Sequence, residues 1–305
     1  MLGVVDFHEQ QVHHFAETQF SSGSPWVDVD TGEVYWCTVD SIWRRGPRPR
    51  DESQCVNRLP EQVVQGRWIS RLATHLTRSS DGGEFFVDAR VGLENVFGTL
   101  PVDGGDFELW QRIEPYAAHG QFCPTDPDLV LFAQERTADP ITGVTASPID
   151  RLWLLRRGER ARAVFDQPTD VTHEWWDGDG RHVWCVLDKV GTWRVDVQTQ
   201  DVEQITWPGS WHSHADSTGR YLVGDANERF YRGCASAVHF LNRHTSKHLC
   251  FAEHVETGGI VGARYHIDPH PRFCCGDRFV VYTTVVRGRV EVAMVKTADL
   301  IERMA

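Results

Sequence analysis

The sequence has no run of about 18 apolar residues, the length that crosses a bilayer as a helix. Its opening, Met1-Leu-Gly-Val-Val-Asp-Phe-His, offers neither a basic start nor an apolar core of about 7–15 residues. The first absence argues against a membrane-spanning helix and the second against a secretory signal. Basic residues are scarce, with 31 Lys and Arg against 43 Asp and Glu and a formal net charge of −12. Neither nucleic acid nor an anionic membrane is therefore expected as a partner. None of the eight cysteines stands in a CxxC pair. Without a secretory signal they read as reduced thiols of a cytoplasmic protein. Heptads and low-complexity tracts are missing too, and the only stretch with a helical pattern is the tail, Thr297 to Arg303.

What the chain has in quantity is short β-branched and aromatic runs, each bounded by Asp, Gly, Ser, Thr or Pro. Glu84-Phe-Phe-Val-Asp, Leu129-Val-Leu-Phe-Ala, His182-Val-Trp-Cys-Val and Phe279-Val-Val-Tyr-Thr are examples. Each is followed by a polar turn and a second such run, the pattern of strands in a meander. Units of about 40–55 residues with about four strands each are the signature of a β-propeller. Six full units lie at about 21–66, 67–114, 115–168, 169–208, 209–262 and 263–305. Residues 1–20 resemble the last two strands of another. The expectation is an all-β protein, a seven-bladed β-propeller with six full blades and a truncated first blade, with 1–305 as a single domain.

The repeat also organises the 15 histidines. Five of the six full units carry His seven residues before the last turn residue: His75 before Gly82, His119 before Asp126, His173 before Gly180, His212 before Gly219 and His270 before Asp277. The unit 21–66 has Pro25 there. Equivalent positions in blades are related by rotation about the propeller axis, so this position predicts a cluster of imidazoles at one mouth of the channel. Such a cluster suits metal binding or acid–base catalysis. Asp268 and His270 share one face of an extended segment, because side chains two residues apart point the same way. With His173 they make a mixed nitrogen and oxygen set for a divalent ion. His212-Ser-His214 looks like a ligand pair, although His214 reads as a packing residue; Asp28-x-Asp30-Thr-Gly reads as a hairpin turn, and Trp175, Trp176 and Trp211 as blade-interface residues with sugar stacking as the alternative.

Four segments resemble the oligogalacturonate lyases, cytosolic seven-bladed propeller enzymes of pectin breakdown. They are Ala118-His-Gly-Gln-Phe-Cys-Pro-Thr-Asp-Pro-Asp, Val171-Thr-His-Glu-Trp-Trp-Asp-Gly-Asp-Gly, His212-Ser-His-Ala-Asp-Ser-Thr-Gly-Arg-Tyr-Leu-Val-Gly-Asp and Asp268-Pro-His-Pro-Arg-Phe, covering about 115–285. The resemblance implies a Brønsted base at His119 and a Mn²⁺ ligand at His173. The family's Gln-x-x-His-Pro-His ligand pattern falls on Tyr265, Asp268 and His270, so the chain departs from it at two of three positions, with His266 next door. His75, His212, Tyr265, Arg90 and Arg264 are the expected substrate contacts, with Arg232 a further candidate cation. Against the family the chain looks shortened at its N-terminus.

The function expected from this resemblance is metal-dependent β-elimination on a small acidic oligosaccharide. The alternatives are a propeller acting on another uronate or by another reaction, and a non-catalytic binding or scaffold propeller.

Overall fold

The computed structural model describes residues 3–17, 19, 21, 23–114, 116–138, 141–187, 190–226, 237–253, 268–284 and 290–305. Arg232, Arg264, Tyr265 and His266 lie outside the described residues. The chain forms two compact units, 1–169 and 170–305.

In the first unit a hairpin of Gly3–Asp6 and Gln11–His14 precedes three four-stranded antiparallel meanders. The first is Trp26–Val27, Val34–Cys37, Ser41–Arg45 and Gln54–Arg58. The second is Ile69–Arg71, Glu84–Val91, Glu94–Pro101 and Glu108–Ile113. The third is Ala117–Phe122, Leu129–Gln134, Leu152–Arg156 and Arg162–Ala163. A small hairpin of Thr137–Ala138 and Thr145–Ala146 sits in the insertion inside the third sheet.

In the second unit the meanders are Thr172–Trp176, His182–Leu187, Gly191–Asp196 and Val202–Ile205, then Ser213–Ala215, Tyr221–Ala226, Ala237–Asn242 and Lys247–Glu253. A three-stranded sheet of Arg272–Cys274, Phe279–Thr284 and Glu291–Lys296 follows, and the helix Thr297–Met304 ends the chain. Every sheet falls inside the unit of sequence expected for it. The one-turn helix Glu61–Val64 was not anticipated. It follows Pro60, whose ring presets φ for a first turn, and four residues are too few to show a period.

Burial explains why the second strand of each sheet is a continuous apolar run rather than an alternation. Phe85, Phe86, Val87, Ala89 and Val91 of one strand are all fully buried, so both faces of that strand are covered. Phe86 meets Phe97 of its own sheet and Phe122 of the next, edge to face at 5.6 and 5.7 Å. Fully burying such a ring contributes about 1.5–3 kcal/mol. The fourth strands are wetter, as in Val202–Ile205, of which Val202, Glu203 and Gln204 are exposed.

The turn register read from the sequence is visible in the backbone. Gly32, Gly82, Gly180, Gly219 and Asp277, each seven residues after Pro25, His75, His173, His212 and His270, all have φ between 60° and 77°. The Asp28 segment is a hairpin turn, as expected. Its Oδ1 accepts the N–H groups of Asp30 and Thr31, and its Oδ2 pairs with Arg78 at 3.0 Å.

Candidate active site and metal centre

A shared local geometry marks three of the five repeat histidines. His119, His173 and His270 have left-handed backbones, with φ of 62°, 50° and 42°. For His119 and His173 the cause is a bulge. The pairing of Ala117–Phe122 jumps between Ala118 and Gln121, and that of Thr172–Trp176 jumps between Thr172 and Trp175. A bulge inserts an unpaired residue and re-aims its side chain, and bulges concentrate beside active sites. Each left-handed non-glycine residue costs about 1 kcal/mol or more.

In the first unit, His119 lies beside His75, with ring centroids 5.1 Å apart. His119 Nε2 stands 3.8 Å from Glu135 Oε1, and Arg151 donates to that same oxygen at 2.6 Å. His75 Nδ1 lies 3.1 Å from the Ser24 hydroxyl. Next door, the buried carboxylate of Asp88 ties strands together. Its oxygens accept the Thr74 N–H and hydroxyl, both at 2.7 Å, and the Gly120 N–H at 3.3 Å. Arg90 instead donates to Asn95 at 3.0 Å and stacks over Tyr116. Its described partners thus include neither His75 nor His119.

The second unit brings together four of the expected residues. His212 and His173 have ring centroids 4.3 Å apart, and His212 and His270 stack at 4.4 Å. His212 Nε2 lies 4.0 Å from Asp268 Oδ2. Trp211 packs edge-on to both His173 and His212. Behind them sits Asp225, fully buried. It accepts the backbone N–H of His212 at 2.9 Å and that of His270 at 2.8 Å, and both its oxygens lie 3.1 Å from His212 Nδ1. A carboxylate at Nδ1 fixes the proton there and leaves the lone pair on Nε2, the arrangement by which proteins orient metal-binding imidazoles.

Two further residues belong to this cluster that the sequence did not assign to the site. His214, read there as packing, places Nε2 3.1 Å from His270 Nε2. Burial, then the charges of Arg272, His270, His212 and His173, hold its imidazole well below the usual histidine range. Arg272 is the second. Among the described residues no carboxylate pairs with it, and burial lowers its pKa. The spacing of His214 from His212 is that of a ligand pair in the sequence. Nothing in the local sequence distinguishes Arg272. Trp175 stacks on the buried Trp184 at 5.9 Å and also meets the His214 ring at 5.1 Å, so it packs against the edge of the cluster.

A third grouping, Asp177, Asp179 and His182, also gathers ligand-type atoms. Arg194 already occupies it, bonding Asp177 at 2.7 Å and Asp179 at 2.8 Å, and His182 Nδ1 sits 2.6 Å from Asp179. Trp184 Nε1 takes a further lone pair of Asp177. These carboxylates are thus already engaged by Arg194, His182 and Trp184.

Known proteins share this architecture. Oligogalacturonate lyase from Dickeya dadantii (strain 3937) is 24% identical over 210 residues, 60% of this chain and 50% of that protein. The chain is a relative of oligogalacturonate lyase. The match spans half the length of that protein. A solved oligogalacturonate lyase in complex with manganese aligns over 96% of this chain and 82% of its own, at a TM-score of 0.74 and 17% identity. Another, from Vibrio parahaemolyticus, aligns over the same shares at 0.77 and 16%. A β-propeller domain from Myceliophteria thermophila aligns over 93% of this chain and 88% of its own at 0.56 and 12%. The fold is therefore that of an all-β propeller, as the repeat predicted. No protein-family model matches the chain.

Proposed function

We propose that the protein is a metal-dependent lyase that cleaves short uronate oligosaccharides, oligogalacturonates first among them, by β-elimination. The observation that carries this reading is the His212 cluster with its buried Asp225, in a chain related to oligogalacturonate lyase. The donors fit a divalent ion such as Mn²⁺, since neutral imidazole nitrogen and carboxylate oxygen are what ions of that hardness take. His173, His212, Asp268 and His270 are the residues that would hold it. Bound there, such an ion supplies positive charge that offsets the uronate carboxylate and so eases loss of the neighbouring C5 proton.

The chain's own residues perform the rest. An imidazole takes the C5 proton, the C5–H electron pair becomes the C4–C5 double bond, and the C4–O4 bond breaks with oxygen leaving. Neutral imidazole, with an ordinary pKa of about 6.5, can accept that proton near neutral pH. The resemblance assigns this role to His119, whose Nε2 faces the Glu135–Arg151 pair. Arg272, without a described carboxylate partner, supplies a cation for an anionic sugar, and Arg264 and Tyr265 keep their expected substrate roles. His75, against His119, contributes a further polar contact. A cytoplasmic setting follows from the resemblance and accords with the free thiols of Cys37, Cys123 and Cys185.

A second assignment of the base is favoured by one observation. His173 has the same bulge and left-handed backbone as His119, and its ring contacts His212 directly. It would then be the base, with the metal held by the remaining donors.

Incubation of purified protein with Mn²⁺ and unsaturated digalacturonate tests the function, with release of 4-deoxy-5-ketouronate as the expected result. No turnover of any uronate disaccharide, together with no bound metal on elemental analysis, refutes it in favour of a binding propeller. His119→Ala and His173→Ala separate the two assignments. The base variant loses turnover by at least about 100-fold and keeps its metal. If His173→Ala keeps stoichiometric metal, His173 is not a ligand.

A further inference from the structure

We propose that Trp68 and Arg90, neighbours on one sheet of the first unit, form a subsite that holds a uronate of the acidic oligosaccharide other than the one that loses its proton. The inference rests on the reading of the protein as one that acts on uronate oligosaccharides.

Strand pairing sets the two side chains together. Ile69 pairs with Val91, and the Gly92 N–H bonds the Trp68 carbonyl at 2.7 Å, so Trp68 stands opposite Gly92. Arg90 lies two residues before Gly92 and shares its side of the strand. Trp68 and Arg90 are thus diagonal neighbours, a separation of about 7–8 Å in an antiparallel pair. Gly92 has no side chain to cover the indole, and Trp68 is 76% exposed. Leu93, 80% exposed in the same turn, adds to the apolar side. Tryptophan is seldom left so open, and packing explains it poorly here because most of its surface meets solvent. A flat apolar ring with a cation beside it suits a pyranose that carries a carboxylate. The C–H face of the sugar lies on the indole while its carboxylate reaches the guanidinium.

Arg90 has donors to spare. Its Nη1 donates to Asn95 at 3.0 Å, and among the described residues neither its Nε nor its Nη2 has a hydrogen-bond partner and no carboxylate pairs with it. Those two nitrogens make the fork that binds a carboxylate through parallel N–H bonds. Arg71 is already used. It donates to the Asp88 and Ala117 carbonyls at 2.9 Å and to the Tyr116 hydroxyl at 2.5 Å. The Arg71 and Arg90 guanidiniums lie 5.3 and 5.2 Å from the Tyr116 ring, so a second positive charge stands close to the fork. The carboxylate of Glu94, across from Val91, is taken by Arg67 and Arg112 and does not compete for Arg90. Tyr116 also links the subsite to the candidate base. It immediately precedes the strand Ala117–Phe122, which carries His119, and its carbonyl accepts the N–H of Glu135 at 2.9 Å. The Glu135 carboxylate is the one that neighbours His119.

The test titrates the full chain with trigalacturonate by calorimetry, in chelator so that no metal-dependent cleavage runs, with the neutral trisaccharide maltotriose as the comparison. The native protein should prefer trigalacturonate. Trp68→Ala should weaken that binding about 10-fold. Arg90→Gln should weaken it about 10–100-fold and reduce the preference over maltotriose. Arg90→Lys, which keeps the charge but not the fork, should fall between Arg90→Gln and the native protein. Val202→Ala, an exposed apolar change in the second unit, should bind as the native protein does. If the native protein binds trigalacturonate and both Trp68→Ala and Arg90→Gln bind it as tightly, the inference is overturned while the proposed function stands. If the native protein binds no uronate oligosaccharide, with or without Mn²⁺, the proposed function itself falls. Circular dichroism establishes that each variant is folded.

Discussion

Replacing Asp225 by Asn removes one oxygen acceptor and a charge while keeping the shape. Asp225 Oδ1 takes the His212 N–H and Oδ2 the His270 N–H, while both oxygens approach His212 Nδ1. An amide has one oxygen, so one backbone N–H, fully buried against it, faces an NH₂ group. An orphaned donor costs about 1–3 kcal/mol, and losing charge assistance at the bonds that remain adds about 1 kcal/mol more. The expected destabilisation is about 2–4 kcal/mol. A second effect is chemical. An amide NH₂ turned toward His212 Nδ1 makes that nitrogen an acceptor, moves the proton to Nε2, and takes away the lone pair that would bind metal. Disturbing such an orienting group lowers metal affinity about 10–100-fold. Asp88→Asn is the matched control, because Asp88 anchors Thr74 and Gly120 but no imidazole. It should lower stability, toward the small end because the Thr74 hydroxyl can reverse its bond, and leave metal binding alone. Urea unfolding and Mn²⁺ titration of both variants read these outcomes. The reasoning is refuted if Asp225→Asn unfolds at the native urea concentration, or if both variants change Mn²⁺ affinity equally.

Two further outcomes concern stability. The Arg181 guanidinium, then the N–H groups of Gln198 and Thr199, hold the Asp196 carboxyl down to about 2 from its ordinary 3.8. A depressed folded pKa contributes stability above the unfolded value that is lost on acidification. The native urea midpoint should therefore fall between pH 4 and pH 2 more steeply than that of Asp196→Asn, and parallel profiles would count against the assignment. Gly120→Ala puts a Cβ 2.4 Å from the Phe86 ring, closer than carbon atoms tolerate, and should destabilise by about 1–3 kcal/mol. A thermal midpoint equal to the native value would show that the ring gives way freely.

The parts of the fold that are local could be read from the sequence. Strand, turn and unit boundaries depend on residues close in the chain, and the left-handed Gly32, Gly82, Gly180 and Gly219 confirm the turn register. The histidine repeat was legible for the same reason. The contact of His214 with His270 was not legible, because His270 is 56 residues away and only the fold brings them together. Asp225 lay hidden inside an apolar strand, where nothing nearby shows that two distant backbone N–H groups converge on it. Arg90, expected to contact substrate, bonds Asn95 and stacks over Tyr116. Its neighbourhood is set by cross-strand pairing of Arg90 with Asn95, which local composition does not reveal.

The left-handed histidines carry an evolutionary consequence. Glycine would relieve the backbone at 119, 173 and 270 at once, since it alone adopts that conformation without a Cβ penalty. Lineages or laboratory selections that reward stability alone should therefore drift toward glycine at these positions. A lineage that still needs the imidazoles must resist that drift at each of them, generation after generation. Which of the three resist and which give way would sort working residues from relics, without a substrate in hand.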